Sequence, residues 1–226
     1  MSTDLGELYA AARVRISEIT CDLPDGVVDQ RCPATPEWTV HEVLAHLRGL
    51  TEDVRTGNLE GVATDPWTAA QVERHRGSST AELLEGWAQD SPILESVLSS
   101  PIGETAARAV FDVHAHEADV RGALGLAPLL PTEFAAWAVP IMVQGFVTGV
   151  QESELANVAV ETPEGDWIGP SDAPVVLRAD RLELFRSILG RRSSAQVAAY
   201  DWGTADPSPY LDRYFVFGPR TSDLVE

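Results

Sequence analysis

The chain has 226 residues, 44% of them hydrophobic and 23% charged, with a formal net charge of −19. That is enough material for one large or two small globular domains with a real core, and it excludes wholesale disorder. The acidic balance excludes nucleic acid and anionic membrane surfaces as partners, since both require clustered positive charge, and is read instead as a surface that keeps the protein in solution.

The opening stretch, MSTDLGELYAAARVRISEIT, carries Asp4 and Glu7 where a signal peptide has basic and then apolar residues. It predicts an amphipathic helix from about Leu5 to Thr20 and a cytoplasmic protein. A loop through Asp25, Gly26, Pro33 and Pro36 follows. Thr39, with Glu42 three residues on, forms a capping box for a second helix. The apolar positions Val40, Val43, Leu44, Leu47 and Leu50 repeat at helical spacing, and Gly57 ends the run. A third helix opens at Asp65-Pro66 and closes at Gly77. Ser79 and Glu82 cap a fourth, which Pro92 is expected to kink or interrupt. IGETAARAVFDVHAHEADVRGALG predicts a fifth from about Ile102 to Leu124, stopped by Gly125 and Pro128. A last bundle helix runs from Thr132 to about Gln151, bent at Pro140. No segment is expected to reach the roughly 18 apolar residues of a membrane span.

After Glu154 the texture changes. ANVAVETPEGDWIG alternates around a turn, and APVVLRAD is a short β-rich run; together they predict a hairpin. A helix follows at DRLELFRSILG, with Asp180 as N-cap and Gly190 as stop, and the tail from Arg191 is mixed. The expected fold is mainly α: a helical bundle over residues 1–152, then a small α+β domain over 153–226.

Asp112 and His116 are four apart on one helix, so their side chains leave the same face one turn apart and can grip a cation without distorting the helix. His46 sits beside the apolar stripe of the second helix and points inward; it is either a satisfied core histidine or a third ligand. If the two helices are neighbours, two imidazoles and a carboxylate converge and leave a coordination position open, the pattern of a reactive rather than a structural site. Such a set also suits non-haem iron. His114 lies about 200° round the helix from His116 and cannot face the same ion. His41 is expected to be solvated, His75 to sit at a helix C-terminus, and Glu117 and Arg121 to form a surface pair. Asp119, next round the helix from His116, either orients that ring or faces solvent. Cys21 and Cys32 have neither redox nor zinc-ribbon spacing and are expected to be reduced and buried. All 16 basic residues are arginine, a bias that a GC-rich bacterial genome produces.

CPATPEWTVHEVLAHLRGL and VFDVHAHEADVRGALGL resemble the two metal-binding helices of the mycothiol-dependent maleylpyruvate isomerase family, within the wider DinB-like group of four-helix bundles. LELFRSILGRRSSAQVAAYDW and YFVFGPRTSDLVE resemble the C-terminal portion of actinobacterial members. The resemblance implies zinc held by His46, Asp112 and His116, with Asp112 standing where the isomerase usually has glutamate. It implies mycothiol as cosubstrate, its thiolate adding to a small electrophile in an isomerase or remaining attached in an S-transferase. It also implies a functional arginine in the C-terminal domain: Arg191 as the catalytic candidate binding a substrate carboxylate, with Arg192 and Arg220 as cofactor-binding alternatives. The alternative is a non-catalytic metal- or small-molecule-binding protein of the same fold, and monomer and homodimer are both open.

Overall fold

In the computed structural model, which describes residues 3–24 and 26–226, the chain divides into two compact units, Met1–Pro128 and Leu129–Glu226. Asp25 of the expected first loop lies outside the described residues.

In the first unit, Asp4 accepts hydrogen bonds from the backbone of Gly6 and Glu7 and starts α1 (Leu5–Thr20). The stretch read as loop contains a small antiparallel ribbon, β1 (Arg31–Cys32) and β2 (Thr35–Thr39), which feeds directly into α2 (Val40–Thr56). The Thr39–Glu42 capping box is formed as expected, and Gly57 closes α2 at φ 73°, a left-handed conformation that favours glycine. α3 (Asp65–Arg74) ends before Gly77 and follows Thr64, which stands at the N-cap position without a side-chain cap hydrogen bond. α4 (Thr80–Leu98) starts at the Ser79–Glu82 capping box and runs uninterrupted through Pro92. Its buried face of Leu83, Trp87, Leu94 and Leu98 outweighs the proline's missing hydrogen bond. The expected start of the next helix is a 3-10 turn over Gly103–Ala106, after which α5 (Arg108–Ala123) begins.

The helices α1, α2, α4 and α5 close a ring: α1 packs on α4 and α5, and α2 packs on α4 and α5, with α3 laid against α2. Arginine–carboxylate pairs clip the ring together. Arg13 meets Glu95 between α1 and α4, Arg15 meets Glu117 between α1 and α5, and Arg48 and Arg55 share Asp90 between α2 and α4. Glu117 is therefore not the surface residue expected. Its side chain is 1% exposed and takes two 2.7 Å hydrogen bonds from Arg15, with Arg121 farther off at 3.5 Å. Cys32 is buried but Cys21 is exposed, against expectation, because it falls just past the end of α1.

The second unit takes the long α6 (Thr132–Gln151), which had been expected to complete the bundle and put the boundary at 152/153. Its buried residues, among them Phe134, Ala138, Phe146 and Val150, pack on a three-stranded sheet and on later helices. In that sheet β3 (Val158–Glu161) is central, antiparallel to β4 (Trp167–Ile168) and parallel to β5 (Val175–Arg178). The mixed tail resolves into α7 (Arg181–Ile188), α8 (Ser194–Ala198) and α9 (Ser208–Tyr214). By length and composition alone α6 is apolar enough to cross a membrane, which corrects the reading that no segment is. The chain is thus mainly α with a small α+β part.

Candidate metal centre

His46 lies in the middle of α2, on the same buried face as Val43, Leu47 and Leu50. Asp112 and His116 project from one face of α5, and because α2 and α5 are neighbours the three side chains meet. One ligand atom from each, two imidazole nitrogens and a carboxylate oxygen, lies within 4.8 Å of the others. Nε2 of His46 stands 3.0 Å from Asp112 Oδ2, and Nε2 of His116 stands 3.4 Å from Asp112 Oδ1. The imidazoles are buried, while the Asp112 side chain is one-third exposed, so the centre opens on its carboxylate side.

The remaining ring nitrogens are turned outward, that of His46 to a hydrogen-bond acceptor and that of His116 to a carboxylate at ion-pair distance without hydrogen-bond geometry. Nδ1 of His46 is 2.8 Å from Gln71 Oε1, and Nδ1 of His116 is 3.2 Å from Oδ2 of Asp119, which is fully buried. Asp119 therefore faces His116 rather than solvent. Outer acceptors of this kind fix the tautomer and ring orientation of a ligating histidine. Burial alone would raise the Asp112 carboxyl, but the two imidazoles beside it outweigh that and hold it well below the usual carboxylate range. Burial likewise opposes a charged His116, yet Asp112 and Asp119 lift it to about 9. At neutral pH a proton sits on His116 where a cation would bind.

Trp38 stands at the end of β2, one residue before the α2 cap. Its ring stacks on His116 at 5.3 Å and 21° and tilts over His46 at 5.1 Å. Half-buried, it walls the centre. Sequence reasoning passed over it, although its place just before a capping box that opens a ligand-bearing helix was a usable signal. Gln71 was passed over too, and a lone amide on a short polar helix gives no such signal.

The other histidines are structural. His114 is buried with Nδ1 2.9 Å from Val110 O, and burial pushes it down to about 4. His41, expected in solvent, holds Nε2 2.7 Å from Ser78 O. His75 does sit at the end of α3 and also meets Glu52 at 2.9 Å.

The candidate arginines all lie in the second unit. Arg192 is buried and paired with Glu183 and Glu226. Arg191 donates from Nη1 to Leu189 O at 2.7 Å, and Arg220 holds its backbone N–H on Arg192 O at 3.0 Å.

No protein-family model matches the chain, and no curated protein matches it significantly. Two solved structures are similar in fold. A histidine-to-alanine variant of a mycothiol-dependent maleylpyruvate isomerase aligns with a TM-score of 0.53 at 12% identity, over 84% of this chain and 92% of that one. A mycothiol-dependent maleylpyruvate isomerase aligns with a TM-score of 0.50 at 15% identity, over 86% of this chain and 94% of that one. At these identities the likeness is one of fold.

Proposed function

We propose that the chain is a cytoplasmic, metal-dependent enzyme that uses a small-molecule thiol, mycothiol, to act on a small electrophilic substrate as an isomerase or S-transferase. The observation that carries this reading is the convergence of His46, Asp112 and His116 from two neighbouring helices on one point. Three protein donors leave a tetrahedral site one position short, as reactive rather than structural zinc sites are. The donors fit such an ion: both imidazoles present Nε2 inward while their Nδ1 atoms face outer acceptors. The shared fold with mycothiol-dependent maleylpyruvate isomerase supports the choice of thiol.

Bound there, zinc would supply the Lewis acidity that keeps a thiol as its nucleophilic thiolate at neutral pH. Asp112 and the two imidazoles would hold the ion. Trp38, stacked over the rings, would shield one side from water and give an apolar wall to an incoming thiol. Arg191 is the proposed partner of a substrate carboxylate, a role resting on the match between a planar guanidinium and a planar carboxylate. Arg192, paired with Glu183 and Glu226, and Arg220 are the other candidates.

Elemental analysis of protein purified without chelator, followed by calorimetric titration of mycothiol into the zinc-loaded and zinc-free forms, tests the reading. One equivalent of metal and thiol binding only to the loaded form are expected. Absence of metal sinks the proposal. Metal with no thiol binding would make the protein a non-catalytic metal-binding member of this fold.

A further inference from the structure

Gln71 is fully buried between α3 and α2. Its Oε1 is 2.8 Å from His46 Nδ1, and its Nε2 donates to Asp53 Oδ2 at 2.7 Å. Asp53 is itself 1% exposed, and its Oδ1 accepts from Arg74 Nη2 at 2.8 Å and Asn58 Nδ2 at 2.9 Å. Trp67 in turn fixes Asn58, its indole N–H donating to the Asn58 carbonyl at 3.0 Å. The chain of bonds has only one direction. A carboxylate paired with arginine accepts, so the Gln71 amide nitrogen donates to it. The amide oxygen is then the atom left for His46, and His46 Nδ1 must carry the hydrogen. With Nδ1 protonated, Nε2, which faces Asp112 Oδ2 at 3.0 Å, is the nitrogen left to bind a cation once it gives up any proton shared with that carboxylate.

Two further features argue that this arrangement is built rather than incidental. Burying an amide and a carboxylate costs free energy that apolar side chains of similar size would not incur. And α3 comes close enough to deliver the amide only because position 49 is glycine, since a Cβ there would sit 2.5 Å from the Gln71 Cβ.

We infer that Gln71, backed by Asp53 and Arg74, is a positioning residue that locks His46 in the Nδ1–H tautomer and sets the affinity of the metal centre. This rests on the metal-dependent reading above. The whole of α3 then has a task in the site although it contributes no ligand.

The test is zinc affinity, measured by chelator competition on the full chain, with circular dichroism as the check on folding. Gln71→Met keeps the side-chain length and removes both hydrogen bonds; it should weaken zinc binding by about 10–100-fold with helix content unchanged. The double variant Gln71→Glu/Asp53→Asn reverses the donor and acceptor between the two positions yet still offers His46 an acceptor, so it should recover affinity to within about threefold of wild type. Nitrogen-15 NMR of the zinc-loaded wild type provides a readout that needs no variant: the His46 Nδ1 should carry a slowly exchanging proton, with Nε2 metal-bound. Unchanged affinity in Gln71→Met, failure of the double variant to recover, or metal on Nδ1 would each overturn the inference while leaving the metal centre standing. A wild type that binds no zinc would remove the reading beneath it and the inference as well.

Discussion

His46 Nε2 and Asp112 Oδ2, 66 positions apart in the chain, stand 3.0 Å from each other across the α2–α5 interface. His116 Nε2 reaches the other oxygen of the same carboxylate. Asp112 therefore bridges the two imidazoles, and a cation entering between them exchanges this bridge for three coordinate bonds. His46→Ala, Asp112→Ala and His116→Ala should each lower metal content by at least about tenfold. The rise in melting temperature on adding zinc should disappear with it, since stabilisation by a ligand requires binding to the folded state. Elemental analysis and thermal melts check this, and full metal content in His46→Ala would show that the ligand set is wrong.

The elevated His116 gives the metal-free centre a defined pH dependence. Its ring holds a proton to about pH 9 in the folded protein, whereas an unfolded chain releases it near pH 6.5. The stability it contributes is complete below the unfolded value and is lost as pH rises through about 9. Metal must displace that proton, so zinc affinity should climb by about tenfold per pH unit from 6.5 towards 9 and then level. Affinity that stays flat over this window would contradict the assignment of His116 as a ligand.

Arg15 and Glu117 offer a stability test in the same unit, on a pair that holds none of the three proposed ligands although Glu117 follows His116 in the chain. With Glu117 1% exposed, Arg15→Ala would strand a buried carboxylate with only the more distant Arg121. The expected cost is about 3 kcal/mol, or about 10 °C in the melting of the first unit. Calorimetry measures it, and a shift below about 2 °C would show that the pair is energetically idle.

Trp38 should separate ion binding from thiol binding. Trp38→Ala leaves every ligand and outer acceptor in place, so zinc content should hold. Loss of the wall over His116 should weaken mycothiol binding by about tenfold, the worth of one well-placed aromatic contact. Equal thiol affinity in the variant, read by calorimetry, would remove Trp38 from the site.

Much of this was legible in the residues because helix termini are local chemistry. Thr39 with Glu42, Ser79 with Glu82, and Gly57 signal their roles within a few positions, and each formed as read. The Asp112–His116 spacing is likewise a property of one helix. What escaped was everything that depends on which surfaces meet. A hydrophobic stripe says that a face is buried without saying against what, so α6 looked like a bundle member, whereas α1, α2, α4 and α5 close the ring without it. Glu117 read as a surface acid because nothing near it in sequence announces Arg15, 102 positions away. Gln71 stayed hidden for the same reason: its importance lies in a close approach that Gly49 permits across two helices.

All three ligand-bearing residues, their outer acceptors and Trp38 fall within Met1–Pro128. The proposed ion site is thus encoded in one contiguous stretch of sequence. Substitutions after Pro128 leave all of these side chains unchanged, so the proposed ion site and the second unit can vary independently in sequence.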